Sequence, residues 1–277
     1  MPYPRHDIGI RWTIGDVSAP GFEALRLSIW GARRLFGSDA TYVVCVNTLS
    51  PDEARRRTGK VPADVVWRAS EGDLPQFLGA YLSAEMAEGV AWKLAPLRLF
   101  PSRYELSLDN DCILWAMPVA IAQWLESGDR NTCVLAADIK TCFGKFADLC
   151  GPEPGNTGIR GFSPGFDLAH VLERMLRDRP VRLESELDEQ GLQVAALRRY
   201  ARPLVVTTDE VTICSPFWPH QSHIGRCGAH FVGLNAHALP WTYYDRPATA
   251  CVIEHWERHK PQLYEAVGLH YPAAVAE

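Results

Sequence analysis

Two aspartates two positions apart, Asp109 and Asp111, carry the clearest chemical signal in this 277-residue chain. They directly follow residues 104–108, a run of apolar and β-prone residues that predicts a strand. In α/β sheets the ligand crevice opens at the carboxyl ends of the strands, and alternate residues of an extended segment point to the same side. Carboxylate oxygens suit Mg²⁺ or Mn²⁺ bridging to phosphate, so the pair predicts a divalent-cation site; a solvated turn is the other interpretation.

A second group of potential metal ligands lies in a segment rich in glycine and aromatic residues. It contains Cys214, His220, His223, Cys227 and His230. Thiolate and imidazole ligands favour zinc, so a zinc-stabilised protein is one hypothesis. The segment lacks a paired Cys-x-x-Cys motif, and histidines in such loops also serve packing and hydrogen bonding, so both interpretations stay open.

Other motifs disfavour other chemistry. Residues 161–165 read Gly-Phe-Ser-Pro-Gly and match the nucleophile turn of serine hydrolases. The residue after that serine must donate its backbone N–H to the oxyanion, but Pro164 has none, so a hydrolase is disfavoured. The chain has neither a P-loop motif nor Gly-x-Gly-x-x-Gly, which argues against a P-loop NTPase and a dinucleotide-dependent dehydrogenase.

The elements that must position these residues alternate between strands and helices, which is typical of an α/β fold with a mostly parallel sheet flanked by helices. No repeat or linker interrupts the chain, so residues 1–277 are predicted to form a single domain, and the long loop 141–155 a lid. The predicted strands are residues 8–15, 41–46, 63–69, 104–108, 133–137 and 156–162, with a strand pair at 204–214. The predicted helices are residues 20–36, a short one after Ser50, 83–100, 118–126, 166–177, 187–200 and a C-terminal helix at about 248–268.

The composition excludes several classes of protein. Hydrophobic residues make up 47% and charged residues 22%, as in ordinary globular proteins. The net charge of −5 lacks the basic excess that nucleic-acid binding exploits. Eight cysteines are too dilute for a disulfide scaffold, and no apolar signal core or membrane-spanning window is found. We expect a cytoplasmic protein with reduced thiols, no nucleic-acid partner and no integral membrane segment.

Five separated pieces, taken in order, resemble the GT-A glycosyltransferases, most closely the glycogenin-like family of retaining enzymes that use nucleotide-sugar donors. The order of the pieces is more specific than any single motif. They are Ala91-Trp92-Lys93-Leu94 leading to Leu108-Asp109-Asn110-Asp111, then Ala136-Ala137-Asp138, Asn156-Thr157-Gly158, Asp188-Glu189-Gln190-Gly191-Leu192, and His230-Phe231-Val232-Gly233 with Pro240-Trp241.

The resemblance implies a GT-A, Rossmann-like fold and a metal-dependent hexosyltransferase that retains anomeric configuration. Its implied metal ligands are Asp109, Asp111 and His230, with Mn²⁺ or Mg²⁺ as the ion. Its implied catalytic residues are Glu189, Asp138 and Lys93. Its implied donor-binding residues, for a donor in which UDP is the favoured nucleotide, are Lys93, Asp109, Asn110, Asp111, Asn156, Gly158, Gln190, Gly233 and His237. The acceptor is not implied.

One departure from the family pattern weakens that implication. Where the family has Lys-Pro-Trp, this chain has Leu239 before Pro240 and Trp241, so the lysine that would touch the diphosphate is missing. His237 is the expected substitute. The same departure keeps open a non-catalytic protein of this fold that binds a nucleotide sugar or a carbohydrate.

Overall fold

The computed structural model describes residues 7–70, 72–82 and 93–272. Its helices are α1 (Ala19–Phe36), α2 (Pro51–Thr58), α3 (Gln76–Gly79), α4 (Val119–Glu126), α5 (Leu168–Asp178), α6 (Glu186–Tyr200) and α7 (Ala248–Ala266). Its strands are β1 (Ile8–Ile14), β2 (Thr41–Val46), β3 (Val65–Ala69), β4 (Tyr104–Asp109), β5 (Cys112–Leu114), β6 (Thr132–Ala136), β7 (Asn156–Phe162), β8 (Arg202–Val206), β9 (Val211–Cys214), β10 (Gly228–Phe231), β11 (Thr242–Tyr243) and β12 (Arg246–Pro247).

A seven-stranded sheet forms the centre of the fold, in the order β3-β2-β1-β4-β7-β6-β8. Strand β7 runs antiparallel to both of its neighbours, β4 and β6, and the other strand pairs in this sheet are parallel. A smaller sheet has the order β5-β10-β9, and β11 and β12 pair with each other. The prediction of a mostly parallel, mixed α/β sheet flanked by helices is therefore confirmed.

Apolar side chains from helices on both faces bury this sheet. One hydrophobic cluster joins β1, β2 and β4 to α1, α2 and α4, and a second joins β6 and β7 to α5 and α6. In α1 the apolar positions Phe22, Leu25 and Ile29 are fully buried, each contributing about 1.5–3 kcal/mol. Ser18 caps the start of that helix by accepting a hydrogen bond from the backbone N–H of Gly21.

The segment after β4 connects the two sheets. Asp109 ends β4, two turn residues follow, and β5 begins at Cys112. Helix α1 approaches this segment so closely that a side chain at Gly31 would clash with the carbonyl oxygen of Leu114, 2.1 Å from the position of an added Cβ. The end of β4 is thus fixed between the central sheet, the small sheet and α1.

Two predicted elements differ from the structure. Residues 93–100 form a short 3-10 turn and bends rather than the predicted α-helix, and residues 83–92 lie outside the described part of the chain. The predicted strand pair at 204–214 consists of β8 and β9, which belong to different sheets and do not pair with each other. Strand propensity located both strands, but it does not determine which partner a strand takes.

The long loop 141–155 is anchored by its own apolar side chains. Phe143, Phe146 and Cys150 are buried in the cluster shared with α6. Its role as a lid stays a prediction. Among the described residues, no helix is both long and apolar enough to cross a bilayer.

Candidate active site

The end of β4 and the neighbouring strand β10 bring three potential metal ligands together. Strand β10 pairs antiparallel with β5, with His230 opposite Cys112. This register places Nε2 of His230 3.2 Å from Oδ1 of Asp111 and 3.7 Å from Oδ2 of Asp109. One ligand atom from each of the three residues lies within 4.8 Å of the others. The structure therefore assembles Asp109, Asp111 and His230 as the sequence predicts.

The donor set and its hydrogen bonding fit a divalent cation. Oδ1 of Asp111 is buried and accepts no hydrogen bond of adequate geometry, although His230 is nearby. A buried oxygen without a donor is costly unless a ligand supplies positive charge. Two carboxylates and one imidazole suit Mn²⁺ or Mg²⁺.

Charge balance in this triad also favours a cation. Burial lowers the pKa of His230, but the carboxylates of Asp111 and Asp109 outweigh burial, so the pKa is raised above its ordinary value. Burial raises the pKa of Asp109, yet the charges of Lys93 and His230 outweigh it and the net direction is downward. Without a metal ion, the positive charges of Lys93 and of protonated His230 thus offset the negative charges of the two carboxylates.

Lys93 lies directly against the triad. Its Nζ is 2.6 Å from Oδ2 of Asp109 and 3.3 Å from Oγ1 of Thr157. Burial lowers the pKa of Lys93, but the negative charges of Asp109 and Glu189 outweigh burial, so the pKa is raised overall and the ammonium form is retained. Lys93 therefore holds a fixed positive charge beside the candidate metal site.

Helix α6 carries a buried acid, Glu189, whose charge interacts with that of Lys93. Burial raises the pKa of Glu189 to about 7, although the charges of Lys93 and Arg160 oppose the effect. Gln193, one turn further along α6, donates a hydrogen bond to Glu189 and accepts one from Arg160. Near neutral pH this carboxyl group is poised between its neutral and charged forms.

Strand β7 supplies the next wall of the site. Asn156 is buried, donates to Oδ2 of Asp138 over 3.2 Å, and accepts from the backbone N–H of Gly158 over 2.6 Å. A Cβ added at Gly158 would lie 2.5 Å from Cε1 of His230. Only a glycine allows β7 to pack this closely on the candidate metal ligand.

Two asparagines that are hydrogen-bonded to each other hold Asp111 in place through Asn235. The Nδ2 of Asn235 donates to Oδ2 of Asp111 over 3.1 Å and to Oδ1 of Asn110 over 3.0 Å. Asn110 returns a hydrogen bond of 2.6 Å to Oδ1 of Asn235. The polar groups of Asn110 are thus used within the protein, in a pair that orients Asp111.

Most of these residues line a cavity of about 650 Å³. Gln190 lies on its wall, with Nε2 donating to the carbonyl of Cys142 over 2.9 Å. Phe217 and Trp241 form an aromatic pair on the wall, with ring centroids 4.4 Å apart. The predicted residues on the wall are Lys93, Asp109, Asn110, Asp111, Asp138, Asn156, Glu189, Gln190, His230 and Gly233.

The fold and cavity can be compared with known proteins. No protein-family model and no curated protein sequence matches the chain. Solved structures do match: galactosyltransferase LgtC in complex with donor and acceptor sugar analogs aligns with a TM-score of 0.52 and 12% identity, over 96% of this chain and 98% of that one. Mouse xyloside xylosyltransferase 1 in its apo form aligns at 0.51 and 13% identity, over 81% and 97%. The WbbM bifunctional glycosyltransferase aligns at 0.51 and 15%, over 96% and 52%. This chain has the GT-A glycosyltransferase fold.

Two predicted donor-binding residues do not line the cavity: Gly158, which packs on His230, and His237. Nε2 of His237 is 3.5 Å from Oδ1 of Asp16, and the His237 side chain is 59% exposed. His237 lines a separate small cavity that shares Gly233 with the larger one, so its role as the substitute for the missing lysine stays a prediction.

The predicted zinc cluster is not assembled from its five members. His230 faces the aspartates, and His220 lies on the cavity wall. Sγ of Cys227 is directed to the carbonyl of Met117, 3.9 Å away, and Cys214 instead faces His255. Nearness in sequence did not indicate nearness in space here, because the strands and turns of this segment point its side chains to different sides.

Sequence reasoning also missed three side chains of the site: Arg160, Gln193 and Asn235. Arg160 follows Asn156 and Gly158 on β7 at intervals of two, so the period of a strand could have indicated it. Gln193 follows Glu189 by one helical turn, which is a comparable signal. Asn235 lies in a turn after β10, and no local pattern indicates it.

Proposed function

We propose that this protein is a metal-dependent glycosyltransferase that moves a sugar from a nucleotide-diphosphate sugar to an acceptor. The observation that carries the proposal is the triad of Asp109, Asp111 and His230, whose ligand atoms lie within 4.8 Å of one another. The triad lies on the wall of a cavity at the end of β4, in a chain with the GT-A fold. The structure of LgtC, which has the same fold, contains donor and acceptor sugar analogs.

In this proposal the triad holds Mn²⁺ or Mg²⁺ against the donor diphosphate. When bound, the ion supplies Lewis-acid stabilisation of the negative charge that develops on the departing diphosphate. The ammonium group of Lys93, 2.6 Å from Asp109, adds a second positive charge on the same side of the cavity. Asn235 keeps Asp111 oriented for this task.

The sugar end of the donor is proposed to lie near Glu189, Asp138 and Asn156. Glycosyl transfer passes through a transition state with positive charge on the sugar ring. The ionised form of Glu189 stabilises that charge, and Gln193 fixes its orientation. Asp138 and Asn156, which are hydrogen-bonded to each other, bind sugar hydroxyl groups. We also propose a retaining hexosyltransferase, and for this the support is the resemblance to the retaining family alone.

The donor nucleotide is proposed to be UDP, and the acceptor to dock at the aromatic side of the cavity. Phe217 and Trp241 offer ring faces of the kind that sugars pack against, and Trp218 beside them is 84% exposed.

The missing family lysine keeps a non-catalytic binding protein as the second candidate. All eight cysteines are unpaired, which supports a reducing, cytoplasmic location.

Calorimetric titration tests the proposal. UDP, GDP and their common sugar conjugates are titrated with and without Mn²⁺ into the wild-type protein and into Asp109→Asn/Asp111→Asn. We expect nucleotide binding that requires both the ion and the aspartates, with affinity falling at least about tenfold in the variant. Asp129→Asn, outside the cavity, is the matched control.

A second readout separates the two candidates. Release of free nucleotide from the bound donor, in water or with a panel of acceptor sugars, indicates an enzyme. Binding without release or transfer indicates a non-catalytic protein. If no nucleotide binds under any condition, the proposed function is wrong.

A further inference from the structure

A second group of metal-ligand side chains lies on the far side of the small sheet from the aspartates. It consists of Cys214 at the end of β9 and of His255 and His259 on α7, and one ligand atom from each lies within 4.8 Å of the others. Cys214 and His255 are 1% and 3% exposed, and His259 is half-buried. The proposed glycosyl transfer uses none of these residues.

The distances approach those of a tetrahedral zinc site. Sγ of Cys214 lies 3.3 Å from Nε2 of His255. Zn–S and Zn–N bonds of about 2.3 and 2.0–2.1 Å at a tetrahedral angle place these two atoms about 3.6 Å apart. The ring centroids of His255 and His259 are 4.7 Å apart. A small ion can therefore join the three side chains with little movement of α7.

The helix places both histidines on one face, and a hydrogen bond orients His259. Residues four apart on a helix lie on the same face, and His255 and His259 have that spacing. Nε2 of His259 lies 3.0 Å from the carbonyl oxygen of Ser222. A carbonyl can only accept, so Nε2 carries the proton and Nδ1 keeps the lone pair. Metal-binding histidines typically donate their other N–H to a backbone carbonyl in this way.

We propose that Cys214, His255 and His259 form a zinc site that joins the C-terminal helix to the small sheet. The fourth position of a tetrahedral ion is open to water or to the exposed side chain of His223, whose backbone carbonyl lies 3.6 Å from Sγ of Cys214. A thiolate and two imidazoles favour Zn²⁺ over the Mn²⁺ or Mg²⁺ that suit the aspartate triad.

The site has a structural consequence for the rest of the chain. Phe231, next to His230 on β10, packs against His255, Trp256 and His259. A bound ion would therefore fix α7 against β9, which carries Cys214 and pairs with β10, the strand that presents His230 to the cavity. Because Zn²⁺ binds the folded chain, it raises the temperature of unfolding.

The test is carried out in the Asp109→Asn/Asp111→Asn background, so that failure of the proposed function does not affect it. The protein is freed of metal with a chelator, titrated with Zn²⁺ alone, and then with Co²⁺. We expect one Zn²⁺ per chain, a higher unfolding temperature, and a thiolate-to-cobalt charge-transfer band in the near ultraviolet.

Loss of a residue that only hydrogen-bonds to a metal ligand lowers metal affinity roughly tenfold to hundredfold. Cys214→Ser and His259→Gln remove proposed ligands, so each should lower Zn²⁺ affinity by more than that. Cys214→Ser should also abolish the cobalt band. Cys251→Ser, on the same helix but outside the group, is the matched control and should retain both. The proposal is overturned if the protein binds no Zn²⁺, or if Cys214→Ser and His259→Gln bind Zn²⁺ as tightly as the protein that has neither substitution. If Cys214→Ser does not fold, His259→Gln alone decides the test.

Discussion

Replacing Glu189 with glutamine should stabilise the folded protein increasingly as the pH rises. Burial raises the pKa of Glu189 to about 7 from an ordinary value of 4.5. Between these two values the folded state keeps a proton that the unfolded state has lost, so stability falls as the pH rises. Glutamine cannot ionise, and it retains the carbonyl oxygen that accepts from Gln193. The variant therefore does not lose this part of its unfolding free energy as the pH rises.

The size of the effect follows from the two pKa values. An interval from about 4.5 to about 7, at about 1.4 kcal/mol per pH unit, corresponds to about 3 kcal/mol. The difference in unfolding free energy between Glu189→Gln and wild type should thus grow by about 3 kcal/mol between about pH 4.5 and about pH 8. Urea unfolding of both proteins without divalent ions, at several pH values and with matching slopes, measures this difference.

A control and a contradicting result complete the experiment. Glu186→Gln changes an exposed residue in the first turn of the same helix, and its difference from wild type should stay within about 0.5 kcal/mol at every pH. If the Glu189→Gln difference were equally constant with pH, burial would not raise this pKa, and the proposed neutral-to-charged balance of Glu189 would be wrong.

Three further predictions concern the triad. Gly158→Ala should push His230 aside and weaken Mn²⁺ binding about tenfold in a calorimetric titration, whereas Gly79→Ala, with open space around it, should not. Asn235→Ala should lower Mn²⁺ affinity about 10–100-fold by releasing Asp111, and an unchanged affinity would contradict its positioning role. The pKa of His230 is raised, so its proton competes with the ion; Mn²⁺ affinity should increase from about pH 6 to about pH 8, and a flat profile would exclude His230 as a ligand.

Most of the fold could be predicted from the sequence because its elements have strong local signals. Ser18 and Ser50 mark the first two helices as caps, and alternating strands and helices indicate a parallel sheet. The direction of β7 could not be predicted, since an antiparallel strand inside such a sheet has the same composition as a parallel one. The register of β10 against β5, which brings His230 to the aspartates, is likewise set by packing over a long sequence separation.

The pairing of β9 with β10 explains why the predicted zinc cluster divides into two groups. Phe231 lies opposite Cys214 in this pair, and His230 lies opposite Ile213. Because successive side chains of a strand point to opposite faces, Cys214 shares the face of Phe231, against α7, while His230 faces the aspartates. Cys214 and His230 therefore cannot bind one ion, however close they are in sequence. The two faces present different donors, carboxylates on one and a thiol with two imidazoles on the other, so one small sheet can serve a hard cation and a softer one.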